Sequence, residues 1–138
     1  MKRMLRAARA RIAVSAETGS AVAEFVMVAA LLTALTLGVM QLGLALHVRN
    51  TVLDAAAEGA RYASLADSSL AEGAARTRDL IQTAVGPAYA TGVTASYDSI
   101  AGYPCVHVRV VTPLPLLGLF GIDRGLEVDG HAARETLE

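Results

Sequence analysis

The spacing of hydrophobic residues changes twice along the chain and predicts three kinds of segment. From Phe25 to Leu46 the chain is apolar for 22 residues, and only Thr33, Thr36 and Gln41 are polar. A helix of that length rises roughly 33 Å at about 1.5 Å per residue, which matches the hydrocarbon core of a bilayer. Threonine hydroxyls can bond to a backbone carbonyl one turn earlier. The pattern therefore predicts a membrane-spanning helix.

After Leu46 the apolar residues recur at helical spacing and on one face only. They are Val48, Val52, Ala55, Ala56, Gly59 and Ala63. No Gly-Pro pair interrupts the pattern and alanine favours helix, so we expect one continuous helix from Ser20 to Leu65. Glu58 and Arg61 are three residues apart and should pair on its surface. A stripe of small residues needs another layer of the fold to cover it.

A second helix is predicted from residue 69 to residue 85. Ser69 and Glu72 have the spacing of a capping box. Gly86 suits the left-handed backbone that ends a helix, and Pro87 cannot continue one. The apolar side of this helix consists of Leu70, Ala74, Leu80, Ile81 and Val85.

From residue 92 onwards the apolar spacing is two, which indicates strands. Alternation covers residues 92–97, 105–110 and 126–133, with a turn expected from Asp98 to Pro104. Such alternation buries one face of an antiparallel sheet and leaves the other in water. The predicted fold class is an α+β membrane protein. Its long N-terminal transmembrane helix continues into a soluble domain with a second helix and a small antiparallel sheet of about three strands.

The segment from Thr112 to Ile122 fits neither spacing. Pro113 and Pro115 argue against a central strand. The leucines around them would form an apolar patch if they were exposed to water. We expect this segment to fold back over the sheet, and contact with the membrane or a partner subunit is the alternative.

Charge is distributed unevenly around the predicted span. The first 19 residues contain five basic residues and one acidic residue, or +4, whereas the remainder contains seven basic and twelve acidic residues, or −5. Lysine and arginine before a span remain on the cytoplasmic side. Binding to nucleic acid is the less favoured explanation, because a span follows directly. We therefore expect a basic cytoplasmic leader (1–19), a transmembrane helix with its external extension (20–65) and a small external α+β domain (66–138).

Glu24 lies at the edge of the apolar run, where a carboxylate is costly unless it reaches the interface or meets a cation. If the chain is cut after Gly19, Ser20 gains an α-amine one helical turn from Glu24. Opposite charges attract strongly in a low-dielectric site, so each makes burial of the other tolerable. The plainer alternative is a carboxylate stabilised by the helix dipole and headgroup water.

A stripe of small residues within the span suggests contact with another helix. Ala30, Ala34 and Gly38 recur at every fourth position. Small residues let helices approach closely in lipid, where van der Waals packing drives association. The chain is rich in alanine throughout, which is the alternative explanation of the stripe.

The basic leader, Gly19, four intervening residues, Glu24 and an apolar helix resemble the processing signal of type IV pilin-like proteins. The Glu24-Phe25 pair and the sequence AAAEGARYA at residues 55–63 resemble the TadE-like pseudopilins of tight-adherence (Flp) pilus systems. The resemblance covers Gly19 to Ala63. Phe25 stands where major pilins usually have tyrosine, and the external part is sizeable, so the resemblance is to a minor component.

This resemblance implies cleavage between Gly19 and Ser20 by a prepilin peptidase, and an assembly role for Glu24 and Phe25. The implied partners are the lipid bilayer, the peptidase, other pilins or pseudopilins and the pilus assembly machinery. The implied location is the cell membrane, with the N-terminus cytoplasmic and the C-terminal domain outside, before any incorporation into a pilus. The alternative function is an unprocessed single-pass anchor whose external domain binds a ligand or partner.

No motif in the sequence predicts catalysis, a cofactor or a metal site. His47, His107 and His131 lack ligand spacing, although the last two could meet across two strands as a surface pair. The acidic corner of Asp123, Glu127 and Asp129 lacks the dense oxygen ligands of a calcium loop. We therefore expect a protein that is not an enzyme and does not bind nucleic acid.

Cys105 is the only cysteine, so an internal disulfide is impossible. Free cysteine packs like a small hydrophobic residue, and burial at the start of a strand is expected. A disulfide between two chains in an oxidising compartment is the alternative.

Overall fold

A computed structural model describes residues 2–115 and 122–135, with side chains described for residues 19–115 and 125–135. The elements are α1 (Lys2–Ser64), α2 (Leu70–Ala84), a short 3-10 turn (Pro87–Tyr89), β1 (Gly92–Ile100), β2 (Tyr103–Leu114) and β3 (Ile122–Ala133). The chain divides into two compact units, Met1–Met40 and Gln41–Glu138. A long apolar N-terminal helix, a second helix and a three-stranded antiparallel sheet confirm the predicted fold class.

Helix α1 continues through Ser64, as predicted, and its helical backbone also includes the leader from Lys2 onwards. In the C-terminal unit the predicted face of small residues is buried, and Val52, Ala56 and Ala60 are completely inaccessible to solvent. The opposite side carries the predicted pair, in which Arg61 and Glu58 lie 3.9 Å apart and remain well exposed. Burial of the small-residue face stabilises the packing of this part of α1, whereas the accessible Glu58–Arg61 ion pair contributes little.

Helix α2 begins with the predicted capping box. The Glu72 N–H donates to the Ser69 hydroxyl oxygen at 3.3 Å, and the Ser69 N–H donates to the Glu72 carboxylate at 2.8 Å. These bonds satisfy donors that the first turn of a helix leaves unpaired. The hydroxyl of Ser69, and then its N–H, lower the pKa of Glu72 by hydrogen bonding to its charged form. At the other end Gly86 has the positive φ of 108° that the sequence predicts.

Helices α1 and α2 meet at two glycines. A Cβ added to Gly59 would lie 2.7 Å from the Gly73 carbonyl oxygen, and one added to Gly73 would lie 2.6 Å from the Gly59 oxygen. The buried Thr77 hydroxyl donates to the Gly73 oxygen at 3.0 Å, so its polar group is satisfied within the contact. The absence of side chains at both positions allows the two backbones to approach closely.

The sheet has the order β1-β2-β3, with Val106, Val108 and Val110 of the central strand completely buried. The predicted turn from Asp98 to Pro104 is wrong in length, because only Ala101 and Gly102 form it. Both residues have positive φ, 52° and 85°, which suits the twist of a two-residue hairpin. Pro104 lies one residue beyond the last β2–β3 register pair, and its carbonyl accepts from the Arg134 N–H. Because proline has no N–H, its position at this end of the strand removes no hydrogen bond from the β2–β3 ladder.

A strand extends further into the proline-containing segment than the sequence predicts. Strand β2 continues to Leu114, and its register with β3 shifts between Thr112 and Leu114. Pairing with β1 ends at Val111, so Pro113 lies at an irregularity where β2 has a neighbour on one side only. Proline is tolerated at such positions because no ladder donor is lost. Residues 116–121, the centre of the predicted fold-back, lie outside the described residues.

Candidate assembly segment and the outer face of the sheet

The part of α1 described with side chains, from Gly19 to Ser64, is long and apolar enough to cross a membrane. Every large apolar side chain between Val22 and Met40 is more than half exposed, including Phe25 at 74%. Exposed apolar surface costs about 25 cal/mol per Å² in water, so a continuous surface of this kind is stable only when lipid or protein covers it. This segment therefore has the surface of a membrane span.

The two threonine hydroxyls within this segment are satisfied by the helix itself. The hydroxyl of Thr33 donates to the Ala29 carbonyl, and that of Thr36 donates to the Leu32 carbonyl, both at 2.8 Å. These are the bonds that the sequence predicts. They leave no unpaired hydroxyl donor at either threonine, which lowers the cost of placing the helix in hydrocarbon.

Glu24 and Ser20 lie on the same side of α1. The Ser20 hydroxyl donates to a carboxylate oxygen of Glu24 at 3.4 Å. The spacing of four residues therefore places the carboxylate within reach of residue 20, as the sequence predicts. Gly19 precedes them inside the helix, and a Cβ added there would meet nothing within 4 Å. The assembly roles of Glu24 and Phe25 stay predictions.

The small-residue stripe of the span is accessible. Ala30, Ala34 and Gly38 are all exposed. A Cβ added to Gly38 would meet nothing within 4 Å. A second helix in the membrane could therefore approach along this line, and helix packing there stays a prediction.

The outer face of the sheet, defined here as the face opposite the buried valines of β2, carries a polar cluster that the sequence analysis did not assemble. His107 and His131 are register partners, with parallel rings stacked 4.4 Å apart between centroids. His107 Nε2 lies 2.6 Å from a carboxylate oxygen of Asp129, and Arg109 Nε lies 3.0 Å from the same oxygen. The hydrogen bond from His107, and then the contact with Arg109, lower the pKa of Asp129.

Arg109 pairs with two residues of the predicted acidic corner, at 3.2 Å from Glu127 and 3.0 Å from Asp129. Hydrogen bonding to Asp129, followed by attraction to both carboxylates, raises the pKa of Arg109. The side chain of Asp123 lies outside the described residues. Cys105 is buried, as expected.

An exposed apolar helix joined to a small α+β unit is consistent with a single-pass membrane protein. The model of the TadE-like protein family matches residues 19–61 of the chain, so this N-terminal segment is similar to that family. The match covers the exposed apolar segment and most of the buried part of α1, whereas α2 and the sheet lie outside it. No curated protein and no solved structure matches the chain.

Proposed function

We propose that this chain is a minor pseudopilin-like component of a tight-adherence pilus or a related secretion apparatus. A prepilin peptidase cuts it after Gly19, and the mature chain stays in the cytoplasmic membrane until Glu24 directs its incorporation into an assembly. The basic leader keeps the N-terminus cytoplasmic and places the α+β unit outside. Its partners are the bilayer, the peptidase and other pilin-like subunits.

The observation that carries this proposal is the placement of Glu24 at the start of an exposed apolar helix, four residues after Ser20. A hydroxyl of residue 20 already reaches the carboxylate at 3.4 Å. After cleavage the same residue carries an ammonium group, and a neighbouring copy presents an identical one. A charge pair of this kind tolerates a low-dielectric environment far better than a lone carboxylate does. The family match over residues 19–61 supports the same reading.

A permanent membrane anchor is the rival function. Such an anchor uses the apolar helix only for attachment to the membrane. Gly19 then has no role in processing, and Glu24 is only a carboxylate stabilised by the helix dipole and headgroup water. The two functions differ in whether the particular sequence of residues 19–46 is required for activity.

A span exchange separates them. Residues 19–46 are replaced by an unrelated apolar helix of the same length that lacks the glycine and the glutamate, and the leader and residues 47–138 are retained. In a host that lacks the native gene, we expect the native chain to restore surface pili or export and the exchanged chain to restore neither. Carbonate extraction and limited proteolysis control for membrane insertion and a folded α+β unit. Full restoration by the exchanged chain would establish the anchor instead.

A further inference from the structure

We propose that Asp98, His107 and His131 bind a divalent transition-metal ion, with zinc as the best fit, on the outer face of the sheet. One ligand atom of each of these residues lies within 4.8 Å of the other two. The three residues come from three different strands, so only the folded register brings them together. This site is independent of the assembly segment and of the function proposed for it.

The chemistry of the three residues suits zinc. Two imidazoles and one carboxylate form a common zinc ligand set, and an exposed site leaves a fourth position for water. Ligand atoms about 2.0–2.2 Å from a tetrahedral zinc ion lie roughly 3.4 Å apart. Closing the site therefore requires the ligand atoms to approach by little more than about 1 Å. It also requires the two parallel imidazole rings to turn, so that their in-plane lone pairs converge on one ion. Asp98 and His131 are exposed, so their side chains have room to rotate. One carboxylate oxygen of Asp98 accepts from the Ser99 N–H at 2.7 Å, which leaves its other oxygen for the ion.

Asp129 prepares His107 for this role. Its carboxylate lies 2.6 Å from Nε2 of His107, and Arg109 holds the same carboxylate oxygen at 3.0 Å. A carboxylate that accepts from Nε2–H leaves Nδ1 as the ring nitrogen that can face a metal ion. Histidines that ligate metals almost always donate their other N–H to such a partner. Asp129 is thus a positioning residue, and the charge of Arg109 is balanced by Asp129 and Glu127.

Imidazole ligands also determine which ions are excluded. Calcium and magnesium prefer sites built from oxygen atoms, whereas imidazole favours zinc, copper and nickel. Millimolar magnesium should therefore leave zinc bound.

The test is zinc binding to the purified full chain in detergent, measured by competition with a chromophoric zinc indicator. The native chain should bind one zinc ion, and His131→Ala should weaken binding by more than about tenfold, since the loss of a ligand exceeds the loss of its supporting partner. Asp129→Asn should weaken binding by about tenfold without abolishing it. His47→Ala is the matched control, because His47 is an exposed histidine on α1, and it should bind as the native chain does.

Cobalt substitution separates this site from a thiolate site at the neighbouring Cys105. The proposal predicts a cobalt spectrum without a thiolate charge-transfer band, and unchanged zinc affinity in Cys105→Ser. The proposal would be overturned if His131→Ala bound zinc as tightly as the native chain, or if zinc binding depended on Cys105. It would also be overturned if the native chain bound zinc no more tightly than a double His107→Ala, His131→Ala variant. Circular dichroism of each variant shows whether it remains folded.

Discussion

Replacing Gly130 with valine is expected to prevent the α+β unit from folding. Gly130 lies on β3 where the sheet meets α1. A Cβ at this position would lie 2.6 Å from the Ala57 backbone nitrogen and 2.5 Å from the Ala56 carbonyl oxygen. Both atoms belong to a helix backbone that cannot rotate away, as the end of a flexible side chain could. We therefore expect a loss of about 4 kcal/mol or more, which is comparable to the stability of many small domains.

Thermal unfolding and limited proteolysis of the full chain in detergent measure this effect. Ala133→Val is the matched control, because it introduces the same side chain at an exposed position of β3, three residues further along the strand. Valine suits a strand, so the control should unfold at a temperature close to that of the native chain. A Gly130→Val chain with native protease resistance would contradict the close approach of α1 and β3.

Replacing Glu24 with alanine is expected to abolish incorporation into an assembly and to leave membrane insertion intact. The substitution removes the one carboxylate at the start of the span, so an α-amine that moves towards lipid loses its countercharge. A helix-dipole role alone is worth about 0.3–1 kcal/mol and would give only a partial effect. The fraction of chain that is recovered in sheared surface filaments, relative to membranes, measures the difference.

Ser20→Ala is the control for this experiment. It removes the hydroxyl that contacts Glu24 at 3.4 Å but keeps the α-amine of the cut chain. Because the proposed partner is the amine, this variant should assemble normally. Native incorporation of Glu24→Ala would refute the assembly role of Glu24, and failure of Ser20→Ala would transfer the role to the hydroxyl.

If the chain is cut as proposed, helix α1 has to open at Gly19. The bond between Gly19 and Ser20 lies inside α1 in the uncut chain, whereas peptidases bind extended backbone. Glycine destabilises a helix by up to about 1 kcal/mol relative to alanine, so the helix opens more readily at this residue.

Features that depend on neighbouring residues could be predicted from the sequence. The capping box of Ser69 and Glu72 and the threonine hydrogen bonds of the span join residues three or four positions apart. The positive φ of Gly86 reflects the missing Cβ of that residue alone. Helical spacing likewise identified the buried face of α1, because the spacing shows which side of the helix is apolar even when the layer that covers it is unknown.

The errors concern strand ends and register, which are set by tertiary contacts. Asp98, Ser99 and Pro104 are common turn residues, yet Ala101 and Gly102 alone reverse the chain. This tight turn fixes the β1–β2 register, and a shift of one residue would move every side chain to the opposite face. The cluster of Asp98, His107 and His131 depends on that register and on the pairing with β3. Sequence spacing alone offered only the meeting of the two histidines across strands.

The most direct test of the proposed function is the N-terminal residue of the protein purified from its native membrane, determined by intact mass and terminal peptide mapping. A mature chain that begins at Ser20 is expected, and it should be lost in Gly19→Arg and in a strain without the prepilin peptidase. A terminus at Met1 in otherwise normal cells would contradict the proposed function and would favour a permanent anchor.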